Sequence, residues 1–401
     1  MIRRLLAGST LLAAAVFAGA LTPSPAYCQE SAEAPAQQQE SEQDPGASAT
    51  DPSATDSPEE DRAAAVVQPA FRGLDQAVAD ALGRGDLPPD AALWLGTADE
   101  VLVESYYGRY DRDTVVPLSS ASQWLAAATV LSLVDAERLS LDDPLIQFFP
   151  QVSDDKVAIT VRQLLSHTSG LVTYHPCLAE HDLSLAACAE EILDEPSVAP
   201  PGTQVRYGTA AFQVAGRIAE IAAGPSWNEI FRSALAMPLG LTATGWTENP
   251  NPTIATGADG NAADYGRFLT MLLNRGQGPE GRDRSGNRVL SEASVSALLS
   301  DQTTSAKEVF TPWTSTGSAS QGSFGLGLWL EEIPAEDGSE SSRLRASCPA
   351  ILGFTPWLEP GRGVAGALMI LQRRSLVAPL VSDIQARTAA TLSSVAPVSD
   401  E

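Results

Sequence analysis

From residue 66 onward the apolar positions follow recognisable periods. "FRGLDQAVADALGRG" (71–85) places Leu74, Val78, Ala81 and Leu82 on one face at helical spacing, which predicts an amphipathic helix. "AALWLGTADEVLVESYYG" (91–108) reads as two strand-forming runs joined at Ala98-Asp99-Glu100, a hairpin. "SQWLAAATVLSLVDAERLS" (122–140) is apolar nearly all round, the pattern of a helix enclosed in a core. "TVRQLLSHTSGL", "AAFQVAGRIAEIAAG", "SWNEIFRSALAMPLG" and "AADYGRFLTMLLNRG" predict further helices separated by Pro- and Gly-bearing loops. Late in the chain "FGLGLWLEEI", "RLRASCPAILGFTPWLEP" and "GVAGALMILQ" read as strands, and "LVAPLVSDIQARTAATLSS" as a closing helix. There is no internal repeat. An early hairpin, central helices, late strands and a final helix predict an α/β (α+β) fold: one sheet from both chain ends, with a helical lobe inserted between.

The first 65 residues have a different character. "MIRRLLAGSTLLAAAVFAGALTPSPA" combines two arginines, an apolar run and small residues at Ser24 and Ala26, the composition of a secretory signal ending at residue 26. The run from Leu5 to Leu21 is short for a spanning helix, which needs about 20 residues. A cleaved signal gives a periplasmic or secreted protein with no membrane span in the mature chain; an uncleaved one would be an inner-membrane anchor. Residues 27–64 hold almost nothing apolar larger than alanine and cannot offset the entropy of ordering, so they read as a disordered acidic linker. The expected organisation is therefore signal 1–26, linker 27–64, folded domain 65–395 and tail 396–401.

The formal net charge is −25, and −18 remains when residues 1–62 are set aside. With no basic stripe to hold phosphates, nucleic acid is not an expected partner. Oligomeric state is not readable. Of the four cysteines, Cys177 and Cys188 share the loop "HPCLAEHDLSLAACAEE", and export favours a local disulfide between them. His175, Cys177, His181 and Cys188 match no zinc spacing, so neither metal nor cofactor is expected. Cys28 and Cys348 pair only if the N-terminal segment folds back, and the sequence leaves that open.

The order of segments resembles the serine β-lactamase and penicillin-binding-protein superfamily, in its class C β-lactamase-related esterase branch. "LVDAERLSLDDPLIQFFPQ", "ITVRQLLSHTSGL", "PPGTQVRYGTAAFQVAGRIAEIAAG", "MPLGLTATGW", "ADYGRFLTMLLNRG", "RVLSEASVSAL" and "FGLGLWL" carry the resemblance collinearly over roughly residues 66–395. It implies a Ser-X-X-Lys motif whose lysine, at lowered pKa, takes the proton of the serine. Alignment on the flanking helix puts Ser120 at the nucleophile and Gln123 at the lysine. Glutamine neither accepts that proton nor supplies charge, and the chain's only lysines are Lys156 and Lys307. Ser153-Asp-Asp-Lys156 has the motif's letters but lies in the polar loop before "ITVRQLL", not at the start of a buried helix.

The family's Tyr-X-Asn corresponds to Tyr207-Gly208-Thr209, where threonine loses the amide's paired donor and acceptor. A phenol near pKa ~10 needs cationic neighbours to act as a base. Arg206, Arg343 and Arg345 are the candidates, and Tyr207 reads equally as a packing residue. The third motif, on a late strand, corresponds to Ser347-Cys348-Pro349-Ala350, to within one residue, and lacks the expected glycine. The resemblance also makes His167 a scaffold residue; His175 and His181 have no evident partner, and Trp124 reads as core. Three altered motifs on an intact scaffold point to a weakly active or inactive family member. Its cleft is expected to bind a small acyl compound, a peptide or a peptidoglycan fragment, or a partner. The alternatives are an active esterase, amidase or peptidase using Ser120 and Tyr207 through an acyl-enzyme, and a purely structural envelope protein.

Overall fold

The computed structural model describes residues 66–278, 288–304, 306–310, 323–334 and 342–395. The signal, the linker, Cys28 and the tail 396–401 lie outside the described residues.

The expected sheet is present and built from both ends of the chain. Its eight strands run in the order Val66–Val67, Val101–Tyr107, Ala91–Gly96, Val364–Ile370, Thr355–Glu359, Ser342–Ser347, Trp329–Pro334 and Ser323–Phe324. Every neighbouring pair is antiparallel. The predicted hairpin pairs Ala91 with Tyr107, and the last strand returns to it with Leu368 opposite Leu93. Alternation along Ala91–Gly96 sends side chains to opposite faces. Ala92 and Trp94 join the core beneath the helical lobe, whereas Ala91, Leu93 and Leu95 join a second core under the terminal helices. Those helices, Arg72–Gly83 and Arg374–Val395, cover this outer face with Leu74, Val78, Val377, Leu380 and Ile384.

The all-apolar segment forms the helix Ser122–Asp135, with Trp124, Leu125 and Leu131 wholly enclosed. Trp124 meets Phe268 of the helix Ala262–Leu273 edge-on at 6.0 Å, a core contact as expected. "ITVRQLL" makes only a short helix, Val161–Leu165, opened by a reciprocal Thr160–Gln163 capping box. Beyond its end His167 takes a left-handed backbone (φ 58°). That turn directs the chain past the short strand Gln204–Arg206, whose Arg206 N–H donates to the His167 carbonyl at 2.8 Å. One backbone bond thus brings His167 beside Tyr207. Among the described residues no helix is long and apolar enough to cross a membrane.

Candidate active site

Ser120 lies in a 3-10 turn, Ser119–Ala121, that runs directly into the helix Ser122–Asp135. It is not the capping residue: no side-chain cap bond is made there, and the left-handed residue is Ser119 (φ 48°). Long-range bonds hold the turn. The Leu118 N–H donates to the Ala258 carbonyl (2.8 Å), the Ala258 N–H to Ser122 Oγ (3.1 Å), and the Tyr265 hydroxyl to the Ala121 carbonyl (2.9 Å). Ser120 itself stays partly exposed.

One helical turn on, Gln123 is fully buried. Its amide nitrogen donates to the Tyr207 hydroxyl at 3.1 Å, and its carbonyl oxygen lies 3.1 Å from His167 Nε2. A loop presses on the same turn: a Cβ at Gly327 (φ 77°) would stand 2.4 Å from the backbone carbonyl oxygen of Gln123, so only glycine fits. The Tyr207 ring stacks on Trp329 at 5.5 Å and lies 4.6 Å from the His167 ring. Desolvation pushes the phenol well above its ordinary value, and the Cys348 sulfur adds to this. Hydrogen bonds from Ser120 and Gln123, and the Arg374 guanidinium, pull it down by less. Enclosure likewise holds His167 neutral, its pKa lowered to about 3.

The stretch Ser347–Ala350 falls beside Ser120. Ser347, buried, ends the strand Ser342–Ser347 opposite Trp357 and Trp329. Cys348 places its sulfur 3.0 Å from the Ser120 carbonyl and 3.4 Å from that of Gly327. It is a buried free thiol, pushed up to about 12 by burial. The Ala350 N–H, next after Pro349, donates to the Phe354 carbonyl at 2.8 Å, closing a tight turn.

Arg374, and not the candidates Arg206, Arg343 or Arg345, is the cation that acts on Tyr207. Arg345 pairs with Glu359 (2.8 Å) and Glu331 (3.7 Å). Arg206 lies next to Tyr207 in the chain, yet its buried Nε meets no partner among the described residues. Arg374, opening the closing helix, acts electrostatically on both Tyr207 and Cys348. Its backbone N–H bonds the Ile351 carbonyl at 3.1 Å, which ties the helix start to the third-motif turn. Arg374 was not legible because nothing local marks it; only the return of the last strand to the first hairpin brings it there.

Other expected residues take other roles. Thr209 turns away from the cleft, its N–H (2.7 Å) and hydroxyl (3.4 Å) both donating to the Thr173 carbonyl. Lys156 is buried and donates to Ser153 Oγ at 2.9 Å in a surface turn, far in sequence from the Ser120 helix. Cys177 and Cys188 form the expected disulfide, with sulfurs 2.02 Å apart. Beside it His175 accepts from the Cys177 N–H at 3.2 Å, within 4 Å of Glu191 and Glu195, while His181 is exposed. His175, Cys177 and Glu191 cluster closely, but the disulfide takes the sulfur.

Ser120, the Tyr207 phenol and the charge of Arg374 are thus brought into one neighbourhood, with no lysine side chain described there.

The β-lactamase family pattern matches residues 74–364. The chain is 31% identical to "Penicillin-binding protein 4" of Amycolatopsis lactamdurans over 47% of this chain and 57% of that protein. It is 26% identical to the D-alanyl-D-alanine-carboxypeptidase/endopeptidase AmpH of Escherichia coli over 35% of this chain and 38% of that one. The chain thus spans less than two thirds of these relatives' length. Among solved structures, a candidate beta-lactamase from Bacteroides dorei is 29% identical, with a TM-score of 0.67 over 79% of this chain and 98% of that one. A penicillin-binding protein homolog from Caulobacter crescentus (18% identical, TM-score 0.65, 81% and 98% covered) shares the fold.

Proposed function

The chain belongs to the β-lactamase family, and we propose that it is an exported, ligand-binding member in which acyl transfer through Ser120 is weak or lost. The observation that carries this reading is Gln123. At the lysine position stands an amide with one end engaged by Tyr207 and the other by His167. Neither neighbour substitutes as a base: the phenol is raised by burial, and the imidazole meets the amide rather than the serine. The Ala350 N–H, bonded within its own turn, weakens the oxyanion hole as well. Removing one such donor costs about 2.7–4 kcal/mol of transition-state stabilisation.

The retained donors suit a ligand with a carbonyl or carboxylate oxygen. The names of the relatives, a penicillin-binding protein and a D-alanyl-D-alanine carboxypeptidase, support an acylated peptide or cell-wall fragment. Titration calorimetry with N-acetyl-D-alanyl-D-alanine and a muropeptide tests the reading. Saturable binding without release of D-alanine is expected; release at a steady catalytic rate would overturn it.

Arg374 favours a second reading, because its charge lowers the phenol and partly replaces that of the lysine. In that case Ser120 attacks, Tyr207 takes the proton, and small activated esters are hydrolysed. A p-nitrophenyl butyrate rate abolished by both Ser120→Ala and Tyr207→Phe would support it; unchanged rates exclude it.

A further inference from the structure

His167 is 2% exposed, with the rings of Tyr207, Phe212 and Phe324 at 4.6, 5.3 and 4.7 Å. Its Nε2 faces the Gln123 carbonyl oxygen at 3.1 Å, and its Nδ1 is buried without a hydrogen-bond partner among the described residues. A neutral imidazole carries one proton, on either nitrogen. On Nδ1 it would be a buried donor with nothing to bond, a rarer and costlier state than a bare acceptor. The proton therefore sits on Nε2. That N–H needs an acceptor, so it draws the Gln123 carbonyl and leaves the amide NH₂ turned to the phenol, 3.1 Å away.

A phenolic oxygen that accepts from Gln123, and from Ser120 as well, has its own proton free to point elsewhere. We propose that His167 is a positioning residue which, acting through Gln123, holds the Tyr207 hydroxyl as a hydrogen-bond donor into the cleft. A ligand in the cleft meets Tyr207 through an acceptor oxygen, a carboxylate or a carbonyl; this clause rests on the binding reading above, while the relay itself does not.

The left-handed backbone at His167 (φ 58°) constrains the choice of variants. His167→Gln and His167→Met carry the same unbranched stem and the same backbone penalty, but only glutamine keeps a donor near the Nε2 position. Nitrogen NMR of histidine-labelled protein reads the tautomer. The wild type is expected to show a protonated Nε2 and a bare Nδ1 at neutral pH. Nuclear Overhauser contacts from the Gln123 amide protons to the Tyr207 ring are expected in the wild type and in His167→Gln, and lost in His167→Met. A proton on Nδ1, or an unchanged amide orientation in His167→Met, overturns the proposal.

With N-acetyl-D-alanine as the probe, His167→Met is expected to weaken binding about tenfold, and His167→Gln to recover it to within about threefold. Equal affinity in all three proteins also counts against the relay. Failure of the wild type to bind the probe overturns the binding reading for this ligand class, and the tautomer and amide contacts still decide the role of His167.

Discussion

The amide nitrogen of Gln123 stands 3.1 Å from the Tyr207 hydroxyl, one helical turn on from Ser120. A lysine placed there is not expected to rebuild an acyl-transfer site. Gln123 is fully buried, and an ammonium there would be enclosed near a second cation, Arg374. Burial and like charge both depress its pKa. Gln123→Lys is expected to destabilise the fold by about 1–3 kcal/mol, read as a lower unfolding midpoint. Its turnover of p-nitrophenyl butyrate is expected to remain about 10²–10³ below that of an intact site, because the Ala350 N–H is still bonded to Phe354. Family-like rates from this single change would show that the lysine alone is missing.

The pH dependence of stability carries the signature of His167. Its pKa in the folded state is lowered from 6.5 to about 3 by desolvation. Between those values the unfolded chain binds the extra proton, so stability rises with pH. This contribution is complete above about pH 6.5 and is lost toward about pH 3, at up to about 1.4 kcal/mol per pH unit. Urea unfolding of wild type and His167→Met at several pH values checks it: the variant should show the shallower slope. An equal slope contradicts the assignment.

Two arginines separate a structural role from a site role. Arg345 bonds Glu359, which is 3% exposed and also meets Arg362. Arg345→Met is expected to cost about 1.5–3 kcal/mol of stability, the range of a hydrogen bond to a charged group, and to leave ligand affinity unchanged. Arg374→Met removes the charge that pulls the Tyr207 phenol down. It is expected to weaken N-acetyl-D-alanine binding about tenfold. The reverse pattern would exchange the two roles.

The cysteines give a chemical check. The Cys177–Cys188 bridge spans a sequence separation of 11, and opening it is expected to cost about 3 kcal/mol on the chain-entropy account. Thermal unfolding of Cys177→Ala/Cys188→Ala against wild type measures this. Cys348, pushed up to about 12 and 1% exposed, is expected to resist iodoacetamide in the native protein and to react once unfolded. Rapid native labelling would place the thiol in contact with solvent.

Much of the fold was legible because its elements are written locally. The hairpin at Ala98-Asp99-Glu100, the buried helix after Ser122 and the late strands all follow from period and composition. Of the candidate site, Ser120 and Gln123 follow from one helical turn, whereas Tyr207 and the Ser347–Ala350 stretch are reached only through the family resemblance. The partners of Gln123 lie 44 and 84 residues away, and no period reports a contact of that kind. His167 read as scaffold for the same reason: its role depends on a left-handed turn and on one bond from Arg206. Thr209 retains a hydroxyl in the sequence, and only the backbone at Thr173 shows why it does not reach the cleft.

On the proposed function Ser120 is not an effective acyl-accepting nucleophile. Intact-mass analysis after incubation with a fluorophosphonate, and separately with benzylpenicillin, tests it directly. The account predicts unmodified protein at times that label an active serine hydrolase to completion. A stoichiometric adduct mapped to Ser120, and absent from Ser120→Ala, would contradict it.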